Sequence, residues 1–282
     1  MAYPVVGDFN VCESWIGARG SGKSTDMARR ARELQHFQGA LIVGHSIGQR
    51  LPRTLPDGYR LPLEYHRSVD ECDRGLRRHP ERWQVVAPPT EAADTHPDLP
   101  RSSADDVIRY AVRLSVALRE KAWKEAHPWA IGIPKKGVNF DGLSVAPVVV
   151  IIDEGVALAG AAGGDRAKNG KTDWFNETLI SLRHYHIGLL YSIQSPTLRS
   201  WHMLEQSTVI RVFQLRHMWA LNNVQAAGAT PAQMEQIKRL GKFESVEVSA
   251  EATDTEYRSG TVPEIVATPD TREIDEVPAT KT

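Results

Sequence analysis

The sequence predicts an α/β fold in which a mostly parallel sheet carries helices on both faces. Short runs of apolar and β-branched residues alternate along the chain with segments whose apolar residues recur at helical spacing. One of these runs, residues 147–152, is continuously apolar rather than alternating, which is typical of a strand buried on both faces. The 282 residues are enough for one large domain of this kind.

Strand predictions rest on short β-branched and aromatic runs that end at glycine, proline or polar residues. The predicted strands are 11–16, 40–43, 83–87, 147–152, 188–193 and 209–213, with a short edge strand around Phe243, Val246 and Val248. The predicted helices are 23–35, 68–79, 102–126, 173–185, 217–227 and 231–239. Ser68 with Glu71 forms a capping box for the second helix, and Ser102 or Ser103 caps the third. Proline and glycine predict a loop at 46–62.

Composition separates a globular part from a polar end. Residues 251–282 carry eight acidic against three basic residues, so we expect a disordered acidic tail after a single domain at 1–250, with an insertion at about 46–140. The formal net charge of -1 indicates no global basic field. Cys12 and Cys72 lack metal-ligand spacing and predict a reducing, cytoplasmic compartment. No apolar run approaches the roughly 18 residues of a membrane span.

A glycine-rich turn follows the first predicted strand. Residues 17–24, GARGSGKS, match the pattern G-x-x-x-x-G-K-[ST] in full. Glycines let successive backbone N–H groups converge on phosphate oxygens, and the helix that follows points the positive end of its dipole at the same anion. Lys23 adds a charge for the β- and γ-phosphates. The residues predicted to bind the nucleotide are Gly17, Ala18, Arg19, Gly20, Ser21, Gly22, Lys23, Ser24 and Thr25.

A second acidic signature follows the most apolar strand. Residues 148–154, VVVIIDE, place two carboxylates at the end of a buried strand. With a phosphate loop upstream, Asp153 and Ser24 are predicted to hold Mg²⁺, and Glu154 to polarise the attacking water. The alternative is a strand followed by a solvated acidic turn. We therefore expect a P-loop NTPase that uses ATP and Mg²⁺. The sequence contains no Asn-Lys-x-Asp motif, which a GTPase would use to bind guanine.

A later apolar strand ends in Gln194, whose amide can reach the γ-phosphate or the attacking water. With LRHYHI at 182–187 and SIQS at 192–195, the sequence resembles the FtsK–HerA superfamily of DNA-pumping ATPases, and within it the genome-packaging ATPases of internal-membrane phages and related DNA viruses. The resemblance covers about 11–25 and 145–216. It implies a P-loop NTPase of the RecA/FtsK-like type, with catalytic roles for Lys23, Glu154 and Gln194. For the glutamine, the alternative is an ordinary polar strand end.

The resemblance also implies a role for Arg183. Several relatives use an arginine eleven positions before the glutamine as a finger that reaches a neighbouring subunit, and Arg183 stands eleven positions before Gln194. Five or six strand residues at roughly 3.3 Å each would put it on the far side of the sheet from its own phosphates. A finger there requires a homo-oligomeric ring, for which we expect six subunits. The alternative is a surface arginine in an ion pair; Arg211 and Arg216 are reserve candidates.

The resemblance implies a motor that moves double-stranded DNA without reading its sequence, most simply viral genome packaging in the host cytoplasm or virion, with a capsid or vertex protein as a further partner. The loop 157–171 carries Arg166, Lys168 and Lys171, which could follow a DNA backbone or belong to a plain solvated linker. Two alternatives remain open. One is a conjugation, secretion or filamentous-phage assembly ATPase of the same superfamily; the other is a nucleotide-dependent partition or scaffold protein.

Overall fold

The described part of the chain forms one eight-stranded sheet with helices on both faces. The computed structural model describes residues 3–7, 9–46, 51–87, 102–130, 132, 139–154, 182–194, 204, 206–215 and 217–249. The strands are β1 (Cys12–Ile16), β2 (Leu41–Ser46), β3 (Leu63–His66), β4 (Trp83–Val86), β5 (Val148–Asp153), β6 (Ile187–Ile193), β7 (Val209–Phe213) and β8 (Ser245–Ser249). The described helices are α1 (Lys23–Gln38), α2 (Val69–Arg78), α3 (Ala104–Ala126), α4 (Met218–Ala226) and α5 (Pro231–Arg239).

The strand order across the sheet is β3-β4-β2-β5-β6-β1-β7-β8. Strands β1 to β7 pair in parallel, and β8 lies antiparallel to β7 at the edge. The predicted fold class is therefore confirmed. Because parallel strands end at the same edge, this order brings the ends of β5, β6, β1 and β7 side by side. None of the described helices is both long and apolar enough to cross a membrane.

The strand β3 was not predicted from the sequence. Its four residues, LEYH, are all half-buried at the edge of the sheet and show no clear apolar pattern. Together with β4 and α3, it shows that part of the region 46–140 contributes to the sheet and to the helical layer that covers it. Phe243 lies before the edge strand and not in it, with a φ of 70°.

Two predicted features fall mostly or wholly outside the described residues. From the predicted helix 173–185, only Leu182–Tyr185 is described, and it forms a 3₁₀ turn. The acidic segment 251–282 is not described, so its disorder stays a prediction.

The core has two layers because both faces of the sheet are covered. Along β5, Val148, Val150 and Ile152 belong to the buried cluster on the face that α3 covers, whereas Val149 and Ile151 belong to the cluster on the face that α1 covers. All five side chains are fully buried. Burial of each such side chain contributes roughly 1.5–3 kcal/mol. The continuous apolar run in the sequence is thus explained by a central strand without a solvent face.

A buried charge cluster fixes α1 to the sheet. Glu13 on β1 accepts hydrogen bonds from Arg30 of α1, at 2.8 Å from Nε, and from Arg211 of β7. Burial alone would raise the pKa of the Glu13 carboxyl, but the two guanidinium groups hold it below its ordinary value. Arg211 also lies 3.5 Å from Glu247 of β8, so the cluster joins four elements beneath the phosphate loop.

Replacing Glu13 by Gln should lower the free energy of unfolding by about 3–5 kcal/mol, because two buried guanidinium groups lose their counter-charge. Chemical denaturation at neutral pH measures this. The Glu13 pKa is depressed in the folded protein, so its contribution is present above the ordinary carboxyl pKa and is lost as the pH falls through the folded value.

The matched control for this prediction is Glu235→Gln, which removes the exposed partner of Lys238 and should change stability little. Equal effects of the two substitutions would show that the buried cluster is not a specific anchor of α1.

Candidate nucleotide-binding site

The phosphate loop connects β1 to α1 at the edge where four parallel strands end. The N–H of Gly17 donates to the carbonyl of Ile193 at 3.1 Å, and that of Ala18 donates to the carbonyl of Gln214 at 2.9 Å. These bonds hold the loop between the ends of β6 and β7. A Cβ on Gly17 would lie 2.6 Å from the Cβ of Phe213, so no larger residue fits there. The first glycine of the motif is therefore required by close packing.

The N-terminus of α1 is open toward the loop. Gly22, with a φ of 106°, is the N-cap residue and gives the helix no side-chain hydrogen bond. The N–H of Thr25 donates to the carbonyl of Gly22 at 3.1 Å, whereas the N–H groups at the two preceding helical positions keep the capacity to bind an anion, reinforced by the helix dipole. The buried hydroxyl of Ser21 has no hydrogen-bond partner among the described residues, which leaves a further donor inside the loop. Arg19 lies exposed at its tip.

The side chain of Lys23 folds back against the phosphate loop. Its Nζ donates to the carbonyl oxygens of Gly17 at 2.8 Å and Ala18 at 3.0 Å. Burial lowers the pKa of this ammonium, while Glu154 and Asp153 act in the opposite direction. A triphosphate would exchange these two carbonyl bonds for charge-assisted bonds to its own oxygens.

Asp153 is surrounded by hydroxyl groups at the end of β5. One carboxylate oxygen accepts from Ser24 at 2.8 Å and from Ser192 at 3.3 Å, and the other accepts from Ser46 at 3.2 Å. The carboxylate is nearly inaccessible. Mg²⁺ prefers oxygen ligands and usually combines one or two carboxylates with substrate phosphates and water, so this set of oxygens fits it. Ser24 and Asp153 are the residues that would hold the ion.

Glu154 and Gln194 meet beside Asp153. The Gln194 amide donates to the Glu154 carboxylate at 2.5 Å, and the Glu154 N–H donates to the Ser192 hydroxyl at 3.3 Å. Glu154 has a φ of 98°, a conformation that costs a non-glycine residue about 1–3 kcal/mol. The surrounding bonds hold this strained geometry, which aims the carboxylate along the edge of the sheet toward Gln194.

Sequence reasoning missed the two serines that contact Asp153 from neighbouring strands. In the sheet register, Ser46 of β2 and Ser192 of β6 are the direct partners of Asp153. Each stands at or near the end of its strand, the one signal in the sequence that could have suggested them. Their role depends on which strands become neighbours, and the sequence motif does not specify this.

The 3₁₀ turn that contains Arg183 precedes β6, whereas Gln194 follows it. The seven residues of β6, at about 3.3 Å each, separate its two ends by about 20 Å. Arg119 of α3 holds the turn by donating to the carbonyl of His184 at 2.9 Å. The side chain of Arg183 lies outside the described part of the chain.

The structure contradicts the prediction of Arg211 as a second candidate for the arginine finger. Its guanidinium is buried and paired with Glu13 and Glu247, so it cannot reach a neighbouring subunit. Arg211 lies in the middle of the buried strand β7, and its guanidinium reaches the buried carboxylate of Glu13 on the neighbouring strand β1, which explains this. The other reserve, Arg216, and the predicted DNA-contacting residues fall outside the described ranges; those residues are Arg166, Lys168 and Lys171.

The fold is shared with a viral packaging enzyme. No known sequence family matches the chain, and no curated protein matches it. Among solved structures, it is similar to the genome packaging NTPase B204 from Sulfolobus turreted icosahedral virus 2 in complex with AMPPCP. That match has a TM-score of 0.55 and 15% identity, and covers 90% of this chain and 99% of the other.

The same enzyme in complex with ATP-γ-S matches with a TM-score of 0.54 and 13% identity over 88% of this chain and 95% of the other. The conjugation coupling protein TcpA of pCW3 is a weaker match, with a TM-score of 0.48, 18% identity, and coverage of 89% of this chain and 63% of the other. The resemblance drawn from the sequence is thus confirmed at the level of the fold, which is that of the P-loop NTPases.

Proposed function

We propose that the protein hydrolyses ATP. The observation that carries this proposal is the contact between Gln194 and Glu154 at 2.5 Å, directly beside the Ser24–Asp153 pair. A site that only bound a nucleotide would need the loop and Lys23. A carboxylate held in a strained conformation next to an amide that both donates and accepts is the arrangement that activates and positions a water molecule.

In the proposed reaction, the loop amides and Lys23 bind the phosphates. Ser24 and Asp153 are the residues that would hold Mg²⁺, which would supply positive charge to offset that of the phosphates. Glu154 accepts a proton from the water molecule whose oxygen bonds to the γ-phosphorus. The bond between that phosphorus and the β–γ bridging oxygen breaks, and ADP leaves with phosphate as the second product. Gln194 is released from Glu154 as the γ-phosphate arrives, and its amide then reports whether that phosphate is present.

We further propose that hydrolysis drives the movement of double-stranded DNA. This rests on the sequence resemblance and on a fold shared with a protein described as a genome packaging NTPase. DNA contact without base readout, a ring of about six subunits, a capsid or vertex partner, and a location in the host cytoplasm or virion belong to this proposal. The loop 157–171 is the proposed DNA contact.

The same ATPase domain could serve a different function from DNA packaging. A conjugation, secretion or phage-assembly ATPase would keep the same catalytic residues, and a partition protein would use ATP to control assembly. The pairing of Glu154 with Gln194 favours turnover over a slow switch. Stimulation of hydrolysis by linear duplex DNA separates the motor from the partition protein.

Replacing Glu154 by Gln should leave ATP binding intact and reduce hydrolysis by roughly 10²–10⁴-fold, because the general base is lost while the contact with Gln194 is conserved. Phosphate release and an ATP titration measure the two effects. Lys23→Ala is the matched control and should lose binding as well. Hydrolysis by the Glu154→Gln variant at a near wild-type rate would assign the base to another residue.

Arg183 should act only between subunits, because β6 separates it from its own site. Arg183→Ala should bind ATP normally but hydrolyse it roughly 10³–10⁵-fold more slowly. Mixed with the Glu154→Gln variant, it should recover activity, since some sites then combine an intact Glu154 with a neighbour's intact Arg183. Light scattering must first show that the two variants assemble together. Mixed rings without recovered activity would exclude Arg183 as the finger.

A further inference from the structure

We propose that Phe243 is the stacking platform for the base of the bound nucleotide. This inference deepens the proposed function and rests on it. It starts from a large aromatic side chain that is 66% exposed although it lies against the phosphate loop. Sequence analysis assigned Phe243 only to an edge strand.

The direction in which a nucleotide lies follows from the strand order. Asp153, Glu154 and Gln194 stand at the ends of β5 and β6, on one side of β1. The terminal phosphate must lie there, because these residues activate water and hold the metal ion. The rest of the nucleotide therefore extends across the loop to the other side of β1, where β7 and β8 lie.

Phe243 stands on that side and at the same edge of the sheet. Phe213, the last residue of β7, pairs with Ser245, the first residue of β8, so the chain just before β8 lies beside the phosphate loop. A Cβ on Gly22 would meet the Phe243 ring at 3.2 Å and the Phe213 ring at 3.6 Å. Phe213 is buried, whereas Phe243 offers most of its surface to a ligand.

The backbone of Phe243 is held in an unfavourable conformation. Its φ of 70° is one of three positive values among the described non-glycine residues, and Glu154 has another. Strain of this kind is concentrated at functional sites. The Lys242 ammonium lies 4.8 Å from the ring centroid. The remaining exposed surface of the ring can stack on a flat base.

Aromatic stacking accepts any base, because every base has a π-face. Phe243 should therefore strengthen the binding of ATP and GTP alike and contribute nothing to the binding of inorganic tripolyphosphate. This difference separates a base contact from support of the loop, which would affect all three ligands.

The test is calorimetric titration of the full chain with ATP and with tripolyphosphate, each with Mg²⁺. Phe243→Ala should bind ATP roughly 5- to 150-fold more weakly, the range expected for one stacked base, and should bind tripolyphosphate as the wild type does. Phe243→Trp should keep the wild-type affinity for ATP. The matched control is Phe37→Ala, since Phe37 is 70% exposed but lies near the far end of α1, about 20 Å away.

Two results would overturn the inference but not the proposed function, provided that the wild type binds ATP. One is an unchanged affinity of Phe243→Ala for ATP, and the other is an equal loss of affinity for ATP and tripolyphosphate. Unchanged tripolyphosphate binding also shows that the variant is folded. If the wild-type protein bound neither ligand, the proposed function would fail, and the stacking platform with it.

Discussion

The structure depends on giving one buried carboxylate enough hydrogen bonds. Asp153 ends the central strand at a point that solvent hardly reaches, and an unsatisfied charge there would be costly. Three hydroxyls, from Ser24, Ser46 and Ser192, satisfy it from α1, β2 and β6. The start of the phosphate-binding helix is thereby positioned by the same group that would hold the metal ion. If this carboxylate binds Mg²⁺, these hydrogen bonds would rearrange, and the change would involve both neighbouring strands.

The strand β6 contacts the phosphate loop and both acidic residues of the candidate site. It lies between β5 and the phosphate-loop strand, and its carbonyl at Ile193 accepts a hydrogen bond from Gly17. Ser192 contacts both Asp153 and Glu154, and Gln194 contacts Glu154. The other end of the same strand follows the turn that carries Arg183. In the proposed motor, β6 is the element that would connect the γ-phosphate with the turn that carries Arg183.

The motifs could be predicted because their chemistry is contained in short segments. The phosphate loop and the strand before Asp153 are recognisable without knowing their neighbours. Features that depend on contacts between residues far apart in the sequence could not be predicted. For example, Arg211 is a plausible arginine finger by sequence, but in the structure it contacts Glu13, which lies 198 positions away. The same holds for the serines around Asp153. The edge strand β3 was missed because four half-buried residues carry no periodic signal.

The most direct test of the proposed motor is the steady-state rate of ATP hydrolysis by the purified full chain, with and without linear duplex DNA. Glu154→Gln protein measures the background. If hydrolysis drives the movement of DNA, duplexes of unrelated sequence should raise the wild-type rate to a similar extent and leave the variant inactive. A wild-type rate that is measurable but unchanged at saturating duplex DNA would contradict a DNA motor.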